Sequence, residues 1–354
     1  MSMRKTSVAV LVVLSVMLAF VGILARGGES GGVDLRVDAV GQPVLAVAPL
    51  DEEALPGDGC IAETTCLRQW YQALTWRIGP EKALAALDAH SRRNEKLAAA
   101  CHDTTHAVGE VAAYLRSLSE AMSLGDTNCG SGYYHGVVAT TTTTVDPEQL
   151  IPVLVAGCSD GAGFSRWECF HGVGHGFVFA AGGDIMMGVE KCLTITTDSD
   201  RGACGSGAFM QELADNGQDP SYAEDPYRVC RNVSEQVVAG QCYDMMANII
   251  RIHVKNGAAA EFAVCRTVES QYEVDCYEGL GRARFAGMPF EGPGIEEYCS
   301  QAGSETGTTR CYEAAFANTA AYYGDSEEAK SHCPELSTEG LRNRCAEYLT
   351  KNPL

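Results

Sequence analysis

Five of the eight histidines of this 354-residue chain lie within 74 residues, from His102 to His175. Two pairs, His102 with His106 and His171 with His175, are spaced i, i+4. On a helix this spacing directs both imidazoles to one face, which lets a single helix supply two ligands to one metal ion. The pattern therefore predicts a metal site.

Further side chains extend the predicted ligand set. Glu110 follows His106 by another i+4 step. His135 and His175 each lie six residues after a cysteine, so a stack of similar hairpins would place them on neighbouring helices, with Met210 next in the same column. The candidate metal ligands are His102, His106, Glu110, His135, His171, His175 and Met210.

Glycines accompany these histidines. Each glycine inside a helix costs about 1 kcal/mol relative to alanine, so their presence calls for a reason. Small residues would let the backbones approach closely around a buried site. Alternatively, the glycines only permit tight helix packing, and the histidines are core or capping residues with satisfied hydrogen bonds. The glycines concerned are Gly109, Gly132, Gly136, Gly172, Gly174 and Gly176.

The residue types limit which metal ion or cofactor the site could hold. Several imidazoles with a carboxylate suit zinc, copper(II) or non-haem iron, and Met210 favours copper, so we expect zinc or copper ahead of iron. The chain has no CxxCH motif for covalent haem and no HExxH or GxSxG motif. Tyr133 and Tyr134 would either donate hydrogen bonds near the site or pack in the core. No catalytic residue is identified, and an enzyme using Glu110 as base is an alternative.

Cysteine pairs recur from Cys158 to the end of the chain. Each pair encloses ten or eleven residues, and the first members of successive pairs are 34 to 38 residues apart. Such a period is typical of stacked helical hairpins, because one hairpin cannot bury its apolar face until a neighbour covers it. The six pairs are Cys158/Cys169, Cys192/Cys204, Cys230/Cys242, Cys265/Cys276, Cys299/Cys311 and Cys333/Cys345.

Each repeat has the same order of elements. A Gly, Pro, Asn or Asp turn precedes a short helix that ends at the first cysteine; the second cysteine opens a longer helix. The predicted fold is all-α: a right-handed stack of αα-hairpin repeats of about 34–38 residues, with one disulfide each, after an N-terminal membrane anchor.

Disulfides explain the cysteines better than zinc does. Structural zinc sites usually contain CxxC pairs, and the chain has none. The four cysteines outside the repeats are expected to pair as Cys60–Cys66 and Cys101–Cys129. Cys101 would end a first helix and Cys129 would begin a second one, which makes this pair a diverged first unit.

Eight disulfides require an oxidising compartment. After Arg4 and Lys5, the uncharged run Thr6–Ala25 is long enough to span a bilayer, and Ile23 makes a poor cleavage site. We expect an uncleaved single-pass anchor; cleavage would give a secreted protein. The predicted segments are a cytoplasmic N-terminus (1–5), an anchor or signal (6–25), an extracytoplasmic linker (26–57), N-terminal helical units with the histidine pair (58–145) and six stapled repeats (146–354).

Charge excludes one class of partner. The chain carries 26 basic and 46 acidic residues, a formal net charge of −20. The electrostatic attraction that drives nucleic-acid binding is therefore absent, and the acidity serves solubility. Within the linker, Leu35 and Val37 alternate with charged residues, which indicates a short strand or an extended tether.

The later repeats carry a second column of residues. A tyrosine and then an acid follow the second cysteine, in the pairs Tyr243/Asp244, Tyr277/Glu278 and Tyr312/Glu313. The tyrosines are expected in the core with the acids at a solvated edge; alternatively, both columns line a surface that binds a partner. The single histidines His90, His253 and His332 are expected at the surface or in packing.

Disulfide-stapled αα hairpins of this length resemble the Sel1-like, cysteine-rich branch of the TPR-type repeats, from Pro147 to Leu349. The resemblance implies a secreted interaction scaffold and transfers no functional residue. The main prediction is an extracytoplasmic, membrane-anchored metal-binding protein with a multi-histidine site. The first alternative is a metal-free scaffold for a protein or peptide partner.

Overall fold

The computed structural model describes residues 34–37, 43–46, 55–125, 129, 132–145, 147–159 and 163–352. The chain divides into two compact units, Met1–Asp51 and Glu52–Leu354. The predicted segments 1–5 and 6–25 lie outside the described residues, as does most of the linker. Among the helices of the described ranges, none is both long and apolar enough to cross a membrane.

The first unit contains a strand pair. β1 (Asp34–Val37) runs antiparallel to β2 (Pro43–Ala46), with Leu35 opposite Leu45. The alternation in the sequence therefore marks a strand rather than an extended tether.

The described part of the second unit is helical, as predicted. Its helices are α1 (Asp58–Ile61), α2 (Thr64–Ile78), α3 (Pro80–Ser91), α4 (Glu95–Ala99), α5 (Cys101–Leu115), α6 (Leu118–Ser123), α7 (Gly132–Thr144), α8 (Pro147–Ser159), α9 (Gly163–Ala180), α10 (Ile185–Cys192), α11 (Asp198–Asn216), α12 (Ser221–Glu224), α13 (Gln236–His253), α14 (Ala258–Cys265), α15 (Glu273–Phe285), α16 (Gly292–Cys299), α17 (Glu305–Tyr323), α18 (Ser326–Ser331) and α19 (Glu339–Lys351). Short 3₁₀ helices lie at Cys230–Asn232, Ser300–Ala302 and Cys333–Glu335.

The longer helices α5, α7, α9, α11, α13, α15 and α17 lie side by side in chain order. Short helices such as α10, α14, α16 and α18 pack against them and alternate with them along the chain. This arrangement is the predicted repeat of helical hairpins, in which each long helix buries its apolar face against its neighbours. The handedness of the stack stays a prediction.

Polar capping residues set where the long helices begin. The side chains of Thr197, Ser304 and Thr338 each accept a hydrogen bond from a backbone N–H in the first turn of α11, α17 and α19. Such a bond satisfies a donor that has no partner within the helix. Ser117 and Glu120 form a reciprocal capping box at α6.

These caps correct the predicted position of the second cysteine. Cys204, Cys311 and Cys345 were expected to open the long helices, but each is the seventh residue of its helix. The capping residue lies seven positions earlier, so the helix begins between the two cysteines of the pair. Cys230 and Cys333 also differ, because they lie in 3₁₀ helices rather than at the end of an α-helix.

All eight predicted disulfides are present, and no cysteine is free. The paired Cα atoms are 5.2 to 5.8 Å apart, the separation that a disulfide requires. The bridges are Cys60–Cys66, Cys101–Cys129, Cys158–Cys169, Cys192–Cys204, Cys230–Cys242, Cys265–Cys276, Cys299–Cys311 and Cys333–Cys345. Eight disulfides fit an extracytoplasmic location.

The Cys101–Cys129 bridge joins elements other than those expected. The sequence placed Cys101 at the end of a first helix, but α4 ends at Ala99 and Cys101 opens the long helix α5. Cys129 lies three residues before the start of α7. The bridge therefore connects the starts of two neighbouring long helices, and both of these helices carry candidate ligands.

The tyrosine column lies in the core, as expected. Its members are Tyr243, Tyr277 and Tyr312. The acids beside them do not form a solvated edge. Asp244 is buried and lies 3.2 Å from the Arg282 guanidinium of the next long helix, and Glu278 pairs in the same way with Arg310. Arginines reach across between long helices, so these acids are ion-paired.

Candidate metal centre

Three adjacent long helices carry the five clustered histidines. His102 and His106 lie on α5, His135 lies on α7, and His171 and His175 lie on α9. The i, i+4 spacing puts each pair on one helix face, and the side-by-side packing of the helices brings those faces together. The predicted neighbours His135 and His175 have ring centroids 4.2 Å apart.

Glycines let these helices approach closely enough for short side chains to meet. A Cβ on Gly109 would lie 2.0 Å from the Tyr133 carbonyl oxygen, and one on Gly136 would lie 2.0 Å from that of His106. Between α9 and α11, a Cβ on Gly174 would lie 1.9 Å from the Cys204 carbonyl oxygen. No side chain fits at these positions, so the glycines serve the close backbone approach that the sequence predicted.

Two groups of three histidines have the geometry of a metal site. In each group, one ring nitrogen per residue lies within 4.8 Å of the others. The outer group contains His102, His106 and His135, and its first two members are half-buried. The inner group contains His135, His171 and His175, all of them buried. His135 belongs to both groups.

The nitrogen separations match a tetrahedral ion. His106 Nε2 lies 3.3 Å from His102 Nε2 and 3.3 Å from His135 Nδ1, and His171 Nε2 lies 3.4 Å from His175 Nε2. Zinc–nitrogen bonds of about 2.0–2.1 Å at tetrahedral angles place ligand nitrogens about 3.3–3.4 Å apart. Hydrogen bonds from N–H groups are normally shorter, roughly 2.7–3.2 Å. The spacing therefore fits ligands around an ion better than histidines bonded to one another.

Hydrogen bonds orient one histidine in each group. His102 Nδ1 donates to the Cys129 carbonyl oxygen over 2.9 Å, and His175 Nδ1 donates to Gln211 Oε1 over 2.9 Å. A neutral imidazole has one N–H and one lone pair, so each bond leaves Nε2 as a lone-pair donor facing its group. A hydrogen bond at the remote nitrogen is the usual way in which a protein orients a metal-ligating histidine.

Two buried ring nitrogens have no hydrogen-bond partner among the described residues. They are His135 Nε2 and His171 Nδ1. Leaving such a group without a partner costs roughly 1–3 kcal/mol. A metal ion bound at His135 Nε2 would satisfy one of these two nitrogens.

Burial keeps four of the five clustered histidines uncharged. Desolvation, with help from His102 and Arg68, lowers the pKa of His106 to about 3. Desolvation lowers the pKa of His175 to about 4, although the hydrogen bond to Gln211 opposes the shift. The pKa values of His135 and His171 are held well below the ordinary histidine value by burial and by neighbouring imidazoles. Neutral imidazole is the form that binds metal, so these side chains are ready to bind at neutral pH.

Two predicted ligands have other surroundings. Glu110 belongs to neither group: its carboxylate accepts hydrogen bonds from the Arg68 guanidinium and, over 2.7 Å, from Gln72 Nε2. Met210 is half-buried, and the adjacent residue Gln211 makes the contact with His175. The role of Met210 as a ligand stays a prediction.

Sequence reasoning missed several residues at the centre. Gln211, the backbone carbonyl of Cys129 and Trp167, whose ring stacks 5.1 Å from that of His171, were not identified. Gln211 could have been found from the sequence, because it directly follows Met210, which was predicted to lie in one column with His135 and His175. Tyr133, one of two suggested hydrogen-bond donors, donates to the Ala121 carbonyl oxygen instead.

The remaining histidines make separate contacts. His90 is buried and bonds to the Tyr71 hydroxyl, so it belongs to the packing. His253 bonds to the Gly217 carbonyl oxygen and His332 to the Glu335 carboxylate. None of the three is a member of either histidine group.

Comparison with protein-family models, curated proteins and solved structures gives no match for this chain.

Proposed function

We propose that this chain is an extracytoplasmic metal-binding protein, attached to the membrane by its N-terminal segment, whose ion is held by the histidine cluster. One observation carries the proposal: in each of two groups the imidazole nitrogens converge within 4.8 Å, and three nitrogen pairs lie 3.3 to 3.4 Å apart, the spacing of tetrahedral ligands. An ordinary polar cluster would satisfy its nitrogens with hydrogen bonds, and here the buried Nε2 of the shared residue His135 has none.

Zinc is the first choice of ion. Tetrahedral coordination by neutral nitrogen ligands suits zinc, which has no geometric preference from its d-electrons. A thioether ligand from Met210 would favour copper, but the side chain that bonds to His175 is that of Gln211. Copper is therefore the second choice and iron the third.

Metal retention is better supported than catalysis. The suggested base Glu110 has both carboxylate oxygens engaged, by Arg68 and Gln72. Within the described residues, no aspartate or glutamate joins either histidine group. Three histidines per ion leave a fourth coordination position for a ligand from outside the chain. An enzyme would bind water or substrate at that position.

Metal analysis of the full chain, purified without an affinity tag from an oxidising compartment, tests the proposal. We expect at least one equivalent of zinc per chain. His135→Ala removes a ligand from both groups, so we expect the zinc affinity to fall by more than about 100-fold, the upper loss seen when a residue that only orients a ligand is replaced.

The matched control is His253→Ala, which removes an imidazole outside both groups and should leave affinity and stoichiometry unchanged. Circular dichroism should show unchanged helix content in both variants. A wild-type chain that binds no zinc, copper or iron at micromolar concentration would contradict the proposal and favour the metal-free scaffold.

The membrane attachment has its own test. Its support is the uncharged run Thr6–Ala25 behind two basic residues, together with the disulfides that fit an extracytoplasmic location. We expect the mature protein to retain Arg4 and Lys5 and to fractionate with membranes. An N-terminus near Arg26 would instead establish a secreted protein.

A further inference from the structure

His135 stands between the two histidine groups. Its ring centroid lies 5.1 Å from those of His102 and His106 on one side. On the other side it lies 5.2 Å from the ring of His171 and 4.2 Å from that of His175. The other four histidines each belong to one group, and His135 is the member that the two groups share.

The two ring nitrogens of His135 have different surroundings. Nδ1 faces the outer group, 3.3 Å from His106 Nε2. Nε2 is buried and has no hydrogen-bond partner among the described residues. With Nδ1 committed to the outer group, the nitrogen left for the inner group is Nε2. An imidazole that loses its N–H proton has a lone pair on each nitrogen and can ligate on both sides.

Each group is also equipped as a site in its own right. The outer group has His102 oriented by the Cys129 carbonyl oxygen, and the inner group has His175 oriented by Gln211. A histidine pair with i, i+4 spacing supplies two ligands to each group from one helix, α5 or α9. A single-ion site would need one oriented pair, and the cluster has two.

We propose that the cluster binds two metal ions, with His135 bridging them as an imidazolate. This inference rests on the proposed function. The outer ion takes His102, His106 and His135 Nδ1, and the inner ion takes His171, His175 and His135 Nε2. Binding of the second ion releases the ring proton of His135 to solvent, and the resulting negative charge reduces the repulsion between two cations.

Stoichiometry separates this inference from the proposed function. Full-length protein is titrated with zinc, and bound metal is counted by native mass spectrometry. We expect two ions per wild-type chain. One ion would overturn the bridge and leave the proposed function intact, whereas no bound ion would overturn both.

Two double variants locate the ions. The outer variant His102→Ala/His106→Ala and the inner variant His171→Ala/His175→Ala should each keep one ion, because each retains one oriented pair. Control double variant His253→Ala/His332→Ala should keep two. If either cluster variant lost both ions while circular dichroism showed native helix content, the histidines would form a single site and the inference would fail.

Copper(II) provides a readout of the bridge itself. Two copper(II) ions joined by an imidazolate couple their electron spins, so the wild-type electron paramagnetic resonance signal should fall well below the intensity of two isolated ions. The outer and inner variants should each give the full signal of one ion. Two bound ions with an undiminished wild-type signal would overturn the bridge.

Discussion

The early and late long helices of the solenoid place different polar side chains at equivalent positions. Two and six residues after its second cysteine, α9 carries His171 and His175, whereas α15 carries Glu278 and Arg282. The histidines are buried, and they meet other histidines. Arg282 is 42 % exposed and pairs with Asp244 on the preceding long helix.

The difference shows what each region needs from outside the chain. Acids and arginines neutralise one another across neighbouring helices, so the late region pairs its charges within the chain. Neutral imidazoles have one proton each and cannot satisfy all their nitrogens among themselves. The early region therefore has histidine groups that could hold a metal ion, whereas the late region pairs its charges within the chain.

The largest expected difference between the two regions is in how acidification changes the free energy of unfolding. In metal-free protein the four clustered histidines with lowered pKa values stay neutral while their unfolded counterparts take up protons below about pH 6.5, so the unfolded state binds more protons and the free energy of unfolding falls. The loss approaches about 1.4 kcal/mol per pH unit for each such histidine, down to pH values near 4.

The late region should respond in the opposite direction. Burial and Asp244 raise the pKa of Asp275 to about 6, so between about pH 4 and 6 the folded state holds the proton and acidification stabilises this site. Denaturant titrations from pH 7 to 4.5 should give a shallower loss for His175→Leu and a steeper loss for Asp275→Asn. A free energy of unfolding that does not change over this range would contradict the comparison.

The close approach of long helices should contribute to the free energy of unfolding in both regions, but to metal binding only in the early one. Gly174→Ala forces α9 and α11 apart, and Gly279→Ala does the same between α13 and α15, where a Cβ would lie 2.1 Å from the Asp244 carbonyl oxygen. Each should cost about 3 kcal/mol of unfolding free energy. Calorimetry and metal counting should show both destabilised but only Gly174→Ala impaired in binding; equal impairment would mean that the site depends on overall stability alone.

The hydrogen bond from His175 to Gln211 should contribute measurably to the zinc affinity. Gln211→Leu removes the acceptor at His175 Nδ1, so zinc affinity should fall about 10- to 100-fold. Met210→Leu is the adjacent control and should bind zinc like the wild type. The reverse result, measured by competition with a chelating dye, would restore Met210 as a ligand and favour copper.

The smallest effect is expected in the ion pairs of the late helices. Asp244→Asn removes the partner of Arg282, which is half-exposed and can turn to solvent. The free energy of unfolding should fall by roughly 1 kcal/mol, with no change in metal stoichiometry. A loss comparable to that of Gly279→Ala would show that the pair is as important to the late region as its close packing.

Much of the fold was predictable because its signals are local. The period of the cysteines predicted the repeat and six of the eight bridges, and the equal offsets of His135 and His175 placed them side by side. Helix starts were displaced because Thr197 and its counterparts cap the chain seven residues before a cysteine. The break between α4 and α5 at Ala100 could not be predicted, because neither glycine nor proline marks it.

The sequence predicted which histidines form the site, but not how they divide into two groups. Spacing brings five histidines together but does not say that they divide into two groups around His135. The engagement of Glu110 depends on Arg68, 42 residues earlier on α2, a distance over which neither periodicity nor capping carries information. The orienting bond from His175 to Gln211 likewise appears only when two helices are packed.

The bridges are all short-range, and this has a consequence for how the chain matures. Paired cysteines are separated by 6 to 28 positions, and six of the eight pairs by 11 or 12. Each loop can oxidise as soon as its own hairpin emerges, since domains fold from the N-terminus during synthesis and local contacts form fastest. Correct pairing then follows from the order of emergence, so a slow passage into the oxidising compartment protects the chain against scrambled bridges.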